Sequence, residues 1–206
     1  MTTDRAPAKP EVLRRDGHPI TIGPVRILTV CTHNRTRSVL AAALLQHKLA
    51  QAGIDATVDS AGFGPEGMPA TPETVELLRR AGIDAAEHLS RRATGELVRQ
   101  ADLIIGAERQ HVVRLVVEEG ADFRRVFTLP ELRTRLDGLG TLPAPDLAAA
   151  LELLNQGRPR GGAYLQNDVP EVHDPTGGPP SEWEQAWYSI DAACTRVGAF
   201  LQRLTG

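Results

Sequence analysis

Cys31 and Arg37, separated by five residues and followed at once by Ser38, are the pair in this chain whose types and spacing suit phosphoryl chemistry. They lie in Val-Arg-Ile-Leu-Thr-Val-Cys-Thr-His-Asn-Arg-Thr-Arg-Ser, residues 25–38. The apolar run reads as a buried strand, a polar loop follows it, and Arg37 and Ser38 open an amphipathic helix. Such a loop turns its backbone N–H groups inward, and the helix behind it adds positive potential at its N-terminus, so a tetrahedral oxyanion is favoured there. Arg37 can grip two of its oxygens at once. The same field favours a thiolate, which makes Cys31 a candidate nucleophile. Thr32, His33, Asn34, Arg35, Thr36 and Ser38 form the candidate substrate-binding loop. Asn34 suits a position of positive φ, and Arg35 could project toward an anionic substrate. A second stretch, His173-Asp174-Pro175-Thr176-Gly177-Gly178-Pro179-Pro180, holds an acid in a segment that proline and glycine keep out of helix and strand. Asp174 is the candidate general acid.

With these residues in place, the chain resembles the low-molecular-weight protein tyrosine phosphatases and the arsenate reductases of the same fold. Cys31, Asn34, Arg37 and Ser38 stand where the family's loop has the same residues, and Asp174-Pro175 matches its later Asp-Pro. Asp59-Ser60-Ala61-Gly62, His88-Leu89-Ser90-Arg91 and Ala101-Asp102-Leu103-Ile104-Ile105, followed by Glu108 and His111, fall between them in the family's order. The resemblance implies supporting roles for Ser60 and His111. Departures are His33 for the usual glycine, Thr36 for a common second cysteine, and Val39 for proline. Thr176 and Gly177 stand where eukaryotic members carry the aromatics that flank phosphotyrosine.

These groups must be positioned by a chain of 206 residues, 41% hydrophobic and 24% charged, which suits one globular domain. Short apolar runs alternate with helical patterns. That predicts an α/β domain with a four-stranded parallel sheet and helices on both faces, the phosphate loop following the first strand. Strands are expected at 25–30, 56–60, 102–106 and 125–129, and helices near 38–52, 72–81, 94–100, 108–118, 144–156 and 181–203. Residues 1–22 read as a flexible N-terminal tail and 23–206 as the phosphatase-like domain. The stretch 137–172 is longer than its equivalent in compact relatives. In the last helix Ala186, Ile190, Ala193, Cys194, Val197 and Leu201 step by three and four, which makes Cys194 and Trp187 packing residues and leaves Trp183 free to edge the cleft.

The formal net charge of −3 argues against a nucleic-acid partner, and no apolar run reaches the roughly 20 residues needed to span a membrane. Six histidines without ligand spacing imply no metal, and the chemistry needs no cofactor. Two cysteines and a thiol nucleophile suit the cytoplasm. The expected activity is hydrolysis of a phosphomonoester, on a phosphorylated protein or a small molecule, through a cysteinyl-phosphate intermediate, with phosphate itself as an oxyanion ligand. Thiol-coupled arsenate reduction on the same loop is the alternative, and a non-catalytic phosphate-binding module is disfavoured because nucleophile and acid are both present.

Overall fold

Of the seven residues in β1 (Val25–Cys31), only Arg26 is exposed, as a strand covered on both faces requires. The computed structural model describes residues 24–140 and 144–205, so the expected tail, 1–22, lies outside the described residues. After β1 come α1 (Arg37–Gln51), β2 (Ala56–Gly62), α2 (Pro72–Arg80), α3 (Gly95–Gln100), β3 (Leu103–Gly106), α4 (Arg109–Val117) and β4 (Val126–Thr128). The chain continues through α5 (Leu129–Leu139), α6 (Leu147–Leu154), α7 (Gly162–Gln166) and α8 (Pro180–Thr205). All three strand pairings are parallel and the order is β2-β1-β3-β4. Cys31 aligns with Gly62, and Gly106 with Thr128. The C-terminal ends of the strands therefore meet at one edge of the sheet.

Alternation along the strands divides the core. Ile27, Cys31, Leu103, Ile105 and Phe127 pack with α1, α5 and the buried stripe of α8, whereas Leu28, Val30, Ile104 and Val126 pack with Val98 of α3 and Val112 and Leu115 of α4. The expected helices on both faces are thus present. The outer edge of β2 is closed by side chains: Gln46 accepts from the Val58 N–H at 2.8 Å and donates to the Ala56 carbonyl at 3.2 Å, and Arg91 donates to the Ser60 carbonyl at 2.7 Å.

Two helices go beyond the sequence expectation. α5 starts where a strand was expected to continue, because Thr128 and Glu131 form a reciprocal capping box and Leu129, Leu132 and Leu136 supply a buried face. The long segment before Asp174 is packed. α6 joins the α5–α8 side of the core, and Tyr164 of α7 joins the opposite side, so the segment wraps the β4 edge. Arg158 clamps it there. Its guanidinium donates to Glu131 Oε1 (2.7 Å), the Val126 carbonyl (2.6 Å) and the Phe123 carbonyl (2.8 Å), and lies 3.8 Å from the Phe123 ring centroid and 4.1 Å from that of Phe127. The Tyr164 hydroxyl also donates to Glu131, at 3.1 Å.

Candidate active site

The loop from Cys31 to Ser38 joins the end of the central strand β1 to α1, and its shape is set by Asn34. Among the described residues Asn34 is the one non-glycine with positive φ, 53°. Its side chain is fully used: Nδ2 donates to Ser38 Oγ (3.0 Å) and Ser60 Oγ (2.8 Å), and Oδ1 accepts from the Arg91 N–H (2.9 Å). Its carbonyl meets His88 Nε2 at 2.8 Å. Ser38 Oγ lies 3.0 Å from Cys31 Sγ, and because it already accepts from Asn34 its own proton is free to be donated to sulfur. Gly62, at the end of β2, makes this approach possible, since a Cβ there would sit 2.7 Å from the Asn34 nitrogen and 2.9 Å from the Thr32 carbonyl.

Thr36 is the N-cap of α1 but gives the helix no side-chain cap; its hydroxyl instead faces Thr71 Oγ1 at 3.3 Å. The N-caps of α2, α3, α5 and α6 all accept a first-turn N–H through their side chains. The first turn of α1 therefore keeps its positive end for another acceptor, beside a buried arginine.

Arg37 is buried, 3% exposed, and gathers the acids of the site. Its Nη1 donates to Glu108 and to the Val172 carbonyl (3.0 Å), and Nη2 donates to Asp174 Oδ2 at 2.7 Å. Burial pushes the Glu108 carboxyl up, but hydrogen bonds from Arg37 and Gln110 outweigh it and hold the acid below the ordinary carboxylate value. Asp174 reaches this point on a loop pinned by the Thr128 hydroxyl, which donates to the Pro170 carbonyl (2.6 Å), and by the Val172 N–H, which donates to the Ala107 carbonyl (2.8 Å).

His111 supports the loop from behind. Its Nδ1 lies 3.0 Å from the Glu108 N–H, which can only donate, so the ring proton of the neutral imidazole sits on Nε2 and is donated to Thr32 Oγ1 at 3.0 Å. Burial lowers the His111 value from 6.5 to about 4, so this tautomer persists through neutral pH.

The sequence-derived set is thus brought together: Cys31, Thr32, Asn34, Thr36, Arg37, Ser38, Ser60, His111 and Asp174 form one connected cluster. His33 is an exposed side chain on its lip, and Arg35 is half-buried with Nε 2.7 Å from the Pro69 carbonyl. One expectation is corrected. Trp183 is buried, 7% exposed, so its ring presents little surface to a cleft. Phe63 is equally enclosed, stacked on His111 with 6.0 Å between centroids and covered by Arg114 at 3.9 Å. Glu108, His88 and Arg91 received no role from the sequence. The capping box that Glu108 and His111 form at the end of β3 was the available signal.

A parallel sheet with a thiol in the loop at the end of its central strand, and a buried arginine paired with an acid beside it, is the arrangement of a cysteine-based phosphatase. Residues 26–146 match the family described as low molecular weight phosphotyrosine protein phosphatase. The chain belongs to that family. It is 43% identical over 103 residues, 48% of this chain and 68% of the relative, to a probable low molecular weight protein-tyrosine-phosphatase, EpsP, of Ralstonia nicotianae. It is 37% identical over 113 residues, 54% of this chain and 75% of the relative, to a protein-arginine-phosphatase of Bacillus subtilis. It is also similar to the crystal structure of a YwlE mutant from Bacillus subtilis, with a TM-score of 0.64 and 27% identity, covering 86% of this chain and 98% of that one.

Proposed function

We propose that the protein hydrolyses phosphorylated protein side chains, with Cys31 as nucleophile, Arg37 as oxyanion clamp and Asp174 as general acid and base. The observation that carries this is the single contact chain Asn34–Ser38–Cys31 on one side of the loop and Arg37–Asp174 on the other. A bound dianion takes the Arg37 fork and releases the Asp174 carboxyl toward the leaving group. Cys31 sulfur attacks phosphorus, the P–O bond to the leaving group breaks, and Asp174 passes its proton to the departing oxygen. Water then attacks the cysteinyl phosphate, Asp174 takes a proton from it, and the S–P bond breaks to return the thiolate, steadied by the Ser38 hydroxyl.

Phosphotyrosine is the first substrate to test, as the family's description and the EpsP relative suggest. Phosphoarginine is the second. The exposed Thr176 and Gly177 provide no aromatic flank, Phe63 and Trp183 are enclosed, and a Bacillus subtilis relative is a protein-arginine-phosphatase. For arsenate reduction, the one other cysteine, Cys194, is a poor resolving thiol: it is fully buried and burial pushes its value up to about 12. That reaction would need an external thiol. The two free cysteines fit a cytoplasmic setting, and no described helix is long and apolar enough to cross a membrane.

The test measures release of phosphate from matched phosphotyrosine and phosphoarginine peptides, alongside arsenate reduction with an added thiol. Cys31→Ser is expected to abolish turnover and keep oxyanion binding, because the hydroxyl stays un-ionised near pH 7. Phosphatase activity in that variant above a small fraction of wild type would refute the nucleophile assignment.

A further inference from the structure

The loop carries a second arginine that the reaction does not use. Arg35 donates through Nε to the Pro69 carbonyl at 2.7 Å, and among the described residues its two terminal nitrogens have no acceptor. Pro69 belongs to the segment 63–70, whose Phe63 and Gly64 N–H groups both donate to the Thr32 carbonyl at 2.8 Å. That segment is therefore a wall of the cradle, and Arg35 is fastened along its rim. The anchor fixes the plane of the guanidinium and leaves its outer fork free, the arrangement that suits paired recognition of an oxyanion. Glu66, the acid of the same wall, is engaged by the Arg92 N–H at 2.9 Å. His33 stands exposed on the same lip against Gly64.

Next to the anchor, Pro69 is bridged to Leu89, and the Ser90 N–H donates to the Met68 carbonyl at 2.7 Å. Met68 and Leu89 are 40% and 60% exposed, two of the few large apolar side chains left in water. The rim thus offers a cation beside the phosphate cradle and an apolar strip beyond it. We infer that Arg35 reads a second anionic group next to the phosphorylated residue, so that the favoured substrate is a phosphopeptide with a neighbouring carboxylate or second phosphate. This rests on the phosphatase reading above, and it makes Arg35 a specificity residue.

The experiment uses the full chain and phosphonomethyl-phenylalanine peptides, non-hydrolysable mimics of phosphotyrosine. Asp, phosphoserine, Ala or Lys is placed in turn at each of the two positions on either side, and Kd is measured. Wild type is expected to bind the best acidic peptide about 3- to 10-fold more tightly than its Lys counterpart at low salt, a span that narrows as salt rises. The Asp and phosphoserine arms separate the two sources of charge. Arg35→Glu should invert the order and Arg35→Gln should flatten it, the ratio between peptides being the readout. A flat wild-type series, or an acidic preference that survives in either variant, would overturn the inference. Turnover of the parent phosphotyrosine peptides is followed in parallel. Absent turnover with a charge-ordered Kd series would count against the phosphatase reading alone.

Discussion

In the proposed reaction Asp174 must leave Arg37 before it can act as an acid. Nη2 of Arg37 lies 2.7 Å from the Asp174 carboxyl, so in that reaction an oxyanion that takes the Arg37 fork also frees the acid. Asp174→Asn removes the transferable proton together with the carboxylate charge that Arg37 holds. Its cost should rise with leaving-group basicity, from little on activated phenyl phosphates to about 10²- to 10⁴-fold on phosphotyrosine. A series of aryl phosphates checks this, and equal losses across it would point to another acid. His111 ties the site to pH in a different way. Its ordinary value is 6.5 and its folded value about 4, so above 6.5 both states are neutral and the histidine has no effect on stability. Between 6.5 and 4 the unfolded chain binds the proton first, and stability falls with acid by up to about 1.4 kcal/mol per pH unit. Below 4 the contribution is spent. Urea midpoints from pH 8 to 4 should show that loss in wild type, and a correspondingly shallower decline in His111→Gln.

At the level of elements, the strands and the first and last helices were readable because their signals are local: the buried run of β1, the polar loop, the stripe of α8. α5 was obscured because charged residues interrupt its apolar positions and a proline opens it, although the Thr128–Glu131 box marked its start. The clamp on the long segment was not readable at all. Arg158 and Glu131 are 27 residues apart and meet only because β4 and α5 bring the acid to the edge that the segment wraps. The same holds for Arg37 and Glu108, 71 residues apart. Arg158→Met is therefore expected to cost about 3–5 kcal/mol, since it leaves a buried carboxylate without its main partner. Adding Glu131→Gln should recover part of that loss. Urea denaturation of the two variants checks the order, and a double variant less stable than Arg158→Met would mean that the ring contacts, rather than the charge pairing, hold the segment.

Across the whole molecule, every strand ends at the site. β1 delivers Cys31, β2 delivers Ser60 and the close approach of Gly62, β3 leads into Glu108 and His111, and β4 ends at Thr128, which holds the Pro170 carbonyl two residues before Val172. A four-stranded parallel sheet could be anticipated from alternating strands and helices; its strand order, and which acids would share Arg37, could not, because they depend on pairing and register between distant segments. A site assembled from four strand ends binds its ligand only when the sheet is formed, so an oxyanion must stabilise the fold by mass action. At phosphate or vanadate a hundredfold above its Kd the gain is about 2.7 kcal/mol, or about 5–10 °C in Tm for a chain of this size. Cys31→Ser should keep most of that shift, because the loop and Arg37 remain. Arg37→Lys should lose most of it, since an ammonium supplies one point of contact where the guanidinium supplies a fork. Thermal melts with and without the anion distinguish the two. A full shift in Arg37→Lys would mean that the loop backbone and the first turn of α1 hold the oxyanion, with Arg37 serving to organise Glu108 and Asp174.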